Sequence, residues 1–213
     1  MAKTVTAAEM KERERAANEA GLLYIQMMEN AGRAAYAELK RRVPALRRLL
    51  IVAGKGNNGG DGFVMARVAA KEGVQVRVLL AEGEPKTADA KTNLARLAET
   101  AAEIVRDTER AAFGADAVVD ALYGTGFHGE LRPDGAAACA LMGRERERGA
   151  FVLALDLPSG VSADSGEVAE GAVQADATVT FDCTKPLHFA KASKPLCGAL
   201  VCADIGIGKA LGE

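Results

Sequence analysis

Three stretches of this chain place amides, carboxylates and glycines directly after apolar runs, where together they could form one site. The first, "GKGNNGGDG" over residues 54–62, follows "LLIVA" and carries Gly54, Gly56 and Gly59 at the spacing G-x-G-x-x-G. That spacing lets backbone approach a pyrophosphate at a helix N-terminus, and an acidic residue about 20 positions on takes a ribose hydroxyl; Glu82 stands at such a distance. Asn57, Asn58, Gly60 and Asp61 make the stretch denser in polar groups than a phosphate cradle requires. Two amides and a carboxylate bond to a ligand or give oxygen to a hard cation. The plainer alternative is a Gly-rich turn in which Asn tolerates left-handed backbone and Asp61 caps the next helix.

The second stretch, "DALYGTGFHGELRPDG", starts at Asp120 within a run otherwise suited to a buried strand. A carboxylate there is costly to bury unless it is paired or bound to a cation, so Asp120 is either a metal or ligand group or a cap of the turn at Gly124. Gly124, Gly126 and Gly129, with Thr125, have the freedom to wrap phosphate or sugar; His128 beside them is an acid/base candidate or a solvated loop residue. The third, "DLPSGVSADSG", puts Asp156 at the end of "FVLAL". A strand that fixes a carboxylate while the turn exposes it places a catalytic group; the alternative is an Asp that holds the Pro-Ser-Gly turn. Lys185, in "FDCTKPLHFAK", follows another apolar run and is either a phosphate partner or surface decoration.

The elements that must position these groups are legible as an alternation. Thr6 and Glu9 predict a capping box opening a helix to about Glu19, stopped by Gly21. A second helix covers "LLYIQMMENAGRAAYAELKRRV" and ends at Pro44, with Leu22, Ile25, Met28, Gly32 and Ala35 near one stripe. Then strands "LLIVAG", "VQVRVLL", one near Ile104, "AVVDALYG" and "FVLALDLP" alternate with helices from about Asp61 to Lys71, over "TADAKTNLARLAE" and over "GAAACALMGRERER"; strands "DATVTF" and "GALVCADIG" close the chain. The pattern predicts an α/β fold, a Rossmann-like three-layer α/β/α sandwich with a mostly parallel central sheet. In such sheets ligands bind outside the carboxyl ends of the strands, where all three stretches lie.

The 213 residues fit a single domain over residues 1–213, with an N-terminal helical extension at about 6–43 and no room for a second catalytic domain. A net charge of −2 gives no reason to expect nucleic acid or an anionic membrane as partner. Apolar runs such as "FVLAL" fall far short of the ~20 residues of a membrane span, and "MAKTVTAAEMKERERAA" lacks a signal peptide's apolar centre. A cytoplasmic location is expected. Cys139, Cys183, Cys197 and Cys202 form no C-x-x-C pair, so reduced thiols are expected, and with only His128 and His188 beside them a zinc site is not.

The motifs "AGKGNNGGDGFVMAR", "VVDALYGTGFHGELR", "LALDLPSGVSADSGEV", "ADATVTFDCTKP" and the closing "GALVCADIGIG", with "MMENAGRAA" ahead of them, closely resemble the YjeF N-terminal domain family, the NAD(P)H-hydrate epimerases. The resemblance runs in order along nearly the whole chain. It implies interconversion of the R and S epimers of NADHX and NADPHX, the hydrated reduced cofactors, so that a dehydratase specific for one epimer repairs both. It implies substrate contacts at Asn57, Asn58, Gly59, Gly60 and Asp61, at Gly124, Thr125, Gly126, Phe127, His128, Gly129 and Glu130, and at Asp156, and a potassium site at Asn58, Asp120 and Ser159. Asp156 is the acid/base candidate. Family members also occur fused to a dehydratase domain, so a separate dehydratase is expected as functional partner, and a homodimer through the N-terminal helices is expected as well. Two departures stand out: Lys55 where the family usually reads Pro, adding charge that favours phosphate, and "PLHFAKASKPLCG" where a glycine is expected soon after proline. The same domain type resembles non-catalytic dimerising modules of an enhancer-of-decapping scaffold and a lipoprotein-binding protein; Asp120, Asp156 and the full "NNGGDG" argue against a purely structural role. A dehydrogenase is disfavoured for want of a second substrate domain.

Overall fold

The computed structural model describes residues 3–213. Helix α1 (Ala7–Glu19) opens with the expected capping box: the Glu9 amide donates to Thr6 Oγ1 and the Thr6 amide donates to the Glu9 carboxylate at 2.7 Å. Helix α2 (Tyr24–Arg42) follows, and its buried stripe is Met27, Met28, Ala31, Gly32, Ala35, Tyr36 and Leu39, with Leu22 and Ile25 only partly covered.

The strands are β1 (Arg48–Ala53), β2 (Gln75–Leu80), β3 (Glu103–Val105), β4 (Ala117–Ala121), β5 (Phe151–Leu155), β6 (Ala177–Phe181) and β7 (Ala199–Ala203). Among the described residues they form one sheet of order β3-β2-β1-β4-β5-β6-β7, and each pairing is parallel. Helices α3 (Asn57–Lys71), α4 (Ala88–Leu97) and α6 (Pro133–Glu147) are the crossovers; the four-residue helices α5 (Thr108–Ala111) and α7 (Ile207–Ala210) were not foreseen.

Side chains alternate across the pleat. In β1, Leu49, Ile51 and Ala53 join the core under α2 and α3, whereas Leu50 and Val52 join the core under α6. All five are fully buried, which is why the strand reads as a continuous apolar run rather than an alternating one. The chain winds outward from β1 through β2 to β3, then crosses back to β4 on the other side of β1. The crevice at that reversal is where such sheets bind ligands.

Two glycines close this seam. A Cβ on Gly54 would lie 1.9 Å from the Leu122 carbonyl oxygen, and one on Gly62 would lie 2.7 Å from the Ala121 Cβ, so glycine at these positions lets the β1 loop and α3 settle onto β4.

Candidate active site

Helix α3 starts at Asn57, four residues before the expected Asp61, so Asp61 is not its cap; Gly56 takes that position. The first intrahelical bond runs from the Gly60 amide to the Gly56 carbonyl. The amides of Asn57, Asn58 and Gly59 therefore have no intrahelical acceptor and stand at the positive end of the helix dipole. Asn57 and Asn58 border an outer groove of about 430 Å³, lined by Lys55, Gly56, Asn57 and Asn58 on one side and by Gly124, Thr125, Gly126, Phe127, His128 and Glu130 on the other. Glu82, at the end of β2, closes the groove: it accepts from the Tyr123 hydroxyl at 2.8 Å and lies 3.9 Å from the Lys55 ammonium. The Tyr123 ring stacks on Phe127, stiffening the glycine-rich loop.

A second, inner cavity of about 130 Å³ shares Asn57, Asn58, Gly124 and Thr125 with that groove and continues to Glu14, Asp61, Asp156 and Lys185. Asp156 is held there against backbone preference, with φ at +65°, a conformation that costs a non-glycine residue energy and persists only where the surroundings impose it. Its amide donates to the Val179 carbonyl. His188 holds its carbonyl: Nδ1 accepts from the Lys185 amide at 2.9 Å, which leaves the proton on Nε2 to donate to Asp156 O at 3.0 Å. Burial pushes the His188 imidazole down to about 4, so the ring is neutral.

On the side chain, Asp156 Oδ1 accepts from Lys185 Nζ at 2.5 Å and from Thr180 Oγ1 at 3.0 Å. Oδ2 faces Gly124, where an added Cβ would sit 3.9 Å away. Lys185 is 1% exposed, so it is neither surface decoration nor directed at the outer groove; it is the counter-ion of Asp156. The "PLHFAKASKPLCG" segment forms two 3-10 turns, Pro186–His188 and Lys194–Cys197, and the first delivers His188 beneath Asp156.

Carboxyl groups crowd this cavity. Asp61 is held well above the usual carboxylate range, by burial first and then by Asp156 and Glu14. Burial, then Asp156, pushes Glu14 up to about 7. Two carboxyls held above their usual range thus sit beside Asp156, the kind of crowding that proton transfer uses.

Asp120 behaves differently. It is fully buried, and both oxygens are taken: Oδ2 accepts from the Ser159 amide at 2.7 Å, and Oδ1 accepts from the Ser159 hydroxyl at 2.6 Å and the Leu122 amide at 3.2 Å. Ser159 Oγ in turn accepts from the Tyr123 amide, and the Asn58 side-chain amide donates to the Tyr123 carbonyl at 2.7 Å. Asn58 Oδ1 is buried and, among the described residues, unpartnered. The orphaned Asn58 amide is joined through Tyr123 to Ser159 and Asp120, and amide, hydroxyl and carboxylate oxygens are the donors a hard cation takes.

Of the expected site residues, Asn57, Asn58, Asp61, Gly124, Thr125, Asp156 and Lys185 meet at the inner cavity, and Gly126, Phe127, His128 and Glu130 line the outer groove. Gly59 and Gly60 line neither: a Cβ on Gly59 would strike the Gly54 carbonyl, and one on Gly60 would strike Met28. Gly129 faces a neighbouring surface depression beside Leu131 and Val168. Residue-by-residue reading missed Glu14, Tyr123 and Thr180.

An all-parallel, doubly wound sheet with polar loops gathered at its switch point defines the class: a Rossmann-like α/β domain with a crevice at that point. Residues 24–187 match the family described as YjeF-related protein N-terminus, and the chain belongs to this family. It is 40% identical over 203 residues to the NAD(P)H-hydrate epimerase of Pirellula staleyi, covering 91% of this chain and 87% of that protein. It is 37% identical over 202 residues to the bifunctional NAD(P)H-hydrate repair enzyme Nnr of Coxiella burnetii, covering 94% of this chain but 41% of the relative. The chain thus spans about two fifths of the bifunctional relative. The crystal structure of the yeast protein ynu0 superposes with a TM-score of 0.77 at 20% identity, covering 95% of this chain and 88% of that one, a match in fold.

Proposed function

We propose that this protein is an NAD(P)H-hydrate epimerase, interconverting the R and S epimers at C6 of the hydrated nicotinamide ring. The observation that carries the reading is the junction of the two cavities. An amide-rich groove at a helix N-terminus suits a diphosphate, and it opens past Asn57, Asn58, Gly124 and Thr125 onto a carboxyl-lined chamber. Family membership and the names of the relatives support it.

In this reading the diphosphate lies against the α3 amides and Lys55, and the damaged ring enters the inner chamber. Epimerisation needs no redox change. The C6 hydroxyl leaves as water and returns on the opposite face, assisted by the ring nitrogen, or the ring opens and recloses; either route requires a group that gives and recovers a proton near C6. Asp156 has that position. Lys185 and Thr180 fix one of its oxygens while the other faces the chamber beside Gly124. Asn58, Asp120 and Ser159 would hold a potassium ion, supported by the orphaned Asn58 oxygen; the cation supplies positive charge beside the loops that grip the diphosphate.

The protein works in this reading with a dehydratase, as the fused relatives do within one chain. A homodimer through the N-terminal helices is supported by Leu23 and Tyr24, which stay 58% and 40% exposed, and light scattering tests it. A cytoplasmic location is supported by four free cysteines among the described residues. No described helix is long and apolar enough to cross a membrane.

The test is a mixture of R and S NADHX with a dehydratase specific for the S form, followed by chromatography with and without this protein. Consumption of the stranded R epimer, faster in potassium than in sodium buffer, is the expected result. Decay of the R form at its spontaneous rate, with the protein folded, would refute the reading.

A further inference from the structure

The inner chamber takes one of its walls from α1, an element outside the glycine-rich loops. Glu14 and Met10 line it there, facing the groups delivered by α3 and the strand ends. Glu14 also lines a smaller extension of about 70 Å³ together with Asn57 and Asp61.

Helix α1 is pinned in place. Arg13, the preceding residue, donates from Nε to Asp182 at the end of β6 at 2.9 Å, and its terminal nitrogens reach the Glu213 carboxylate at 2.8 and 2.9 Å. The Ala7 amide donates to Asp164 at 2.7 Å. Arg13 therefore anchors the helix outside the chamber while its neighbour Glu14 turns inward. The charged and titratable groups around Glu14 are Asp61 from α3, Asp156 after β5, Asp182 after β6, Lys185 beyond it, Lys11 on its own helix, and Tyr24 of α2 and Asp89 of α4 across the smaller extension. The ammonium that touches this set, Lys185, is already committed to Asp156 at 2.5 Å.

We infer that Glu14 is a second proton-transfer residue of the epimerisation, paired with Asp156 across the chamber that both line. The inference rests on the epimerase reading above. On the C6–O route the Glu14 proton moves to the hydroxyl oxygen, the C6–O bond breaks, water departs, and the N1 lone pair forms the C6=N1 bond of an iminium. Water then adds at the other face: a new C6–O bond forms, the π pair returns to N1, and the released proton goes to Asp156. Return of one proton from Asp156 to Glu14 restores the starting state, and the two carboxyls exchange roles for the opposite epimer. Ring opening makes the same demand, since the hydroxyl gives a proton to one carboxyl while N1 takes one from the other. The raised Glu14 value, about 7, supports a carboxyl that still carries its proton near neutrality.

The experiment measures kcat and KM for the R epimer in the coupled assay across pH for wild type, Glu14→Gln and Glu14→Asp. Glu14→Gln should lower kcat about 10²-fold with KM within about threefold of wild type. Wild-type kcat should fall as pH rises through about 7, and Glu14→Gln should abolish that fall, because the amide has no proton to lose. Glu14→Asp should recover part of the rate and keep an alkaline limb. A folded Glu14→Gln protein with wild-type kcat and an unmoved limb overturns the inference. Should Glu14→Gln not fold, Glu14→Asp decides: wild-type rate with an unmoved limb overturns it. Failure of the wild-type protein to convert the R epimer overturns the epimerase reading instead, so the two failures are distinct.

Discussion

Asp120 lies in β4 and Asp156 directly follows β5, the neighbouring strand, yet the two carboxylates are treated in opposite ways. Asp120 is fully buried, with Ser159 and Leu122 taking both oxygens. Asp156 is bent into left-handed backbone, has one oxygen fixed by Lys185 and Thr180, and turns the other toward a chamber shared with two further carboxyls. A carboxylate whose hydrogen bonds are complete organises its surroundings; through Ser159, Asp120 fixes the Tyr123 amide and with it the start of the glycine loop. One with a free oxygen in strained backbone is placed for reaction. The difference lies in position and partners: Asp120 sits within β4 opposite Ala154, whereas Asp156 lies one residue past β5.

The contrast can be broken from either side. Lys185→Met should be the most damaging change among variants that keep Asp156: it removes the buried counter-ion of Asp156, and breaking such a pair costs about 3 kcal/mol or more. Chemical denaturation should show that loss, with epimerase activity lost alongside it. Ser159→Ala strikes the Asp120 side and should cost about 2 kcal/mol, because Asp120 loses a donor and the Tyr123 amide loses its acceptor. There the expected signature is lowered stability with activity partly retained. Equal loss of chemistry in both variants at matched stability would erase the distinction drawn between the two carboxylates.

A smaller effect follows from the crowding around Asp156. The Glu14 carboxyl titrates at about 7 in the fold against an ordinary 4.5, so the folded protein binds that proton more tightly than the unfolded chain. The stability this contributes is fully present below about pH 4.5 and is lost as pH rises through about 7. Asp61 acts in the same direction. Melting temperatures should therefore fall over this range, by the equivalent of about 1–3 kcal/mol, and Glu14→Gln should flatten part of the slope. A wild-type melting temperature that rises between pH 5 and pH 8 would contradict the carboxyl cluster.

Much of this arrangement is legible in the sequence because strand ends advertise themselves: an apolar run stopped by Asp, Gly or Asn marks both the sheet and the crevice it faces. Asp120 and Asp156 are found that way. The start of α3 is not, because Asp61 looks like a cap while the true N-terminal position is Gly56, which offers no side-chain bond. The role of Lys185 is hidden for another reason: its partner lies 29 residues earlier, and only the adjacency of β5 and β6 brings the two together. Glu14 is the least legible. Helix α1 also carries Glu9, Glu12 and Glu19, and what singles Glu14 out is the packing of that helix against the ends of β5 and β6, a tertiary property without local signature.

The most direct test of the account separates binding from turnover at Asp156. Asp156→Asn, checked for folding by its melting transition, should bind NADHX close to the wild-type affinity, because the α3 amides and the glycine loop are untouched, while conversion of the R epimer falls by about 10²–10⁴-fold. Conversion at the wild-type rate by that folded variant would contradict the claim that the carboxylate after β5 performs the chemistry.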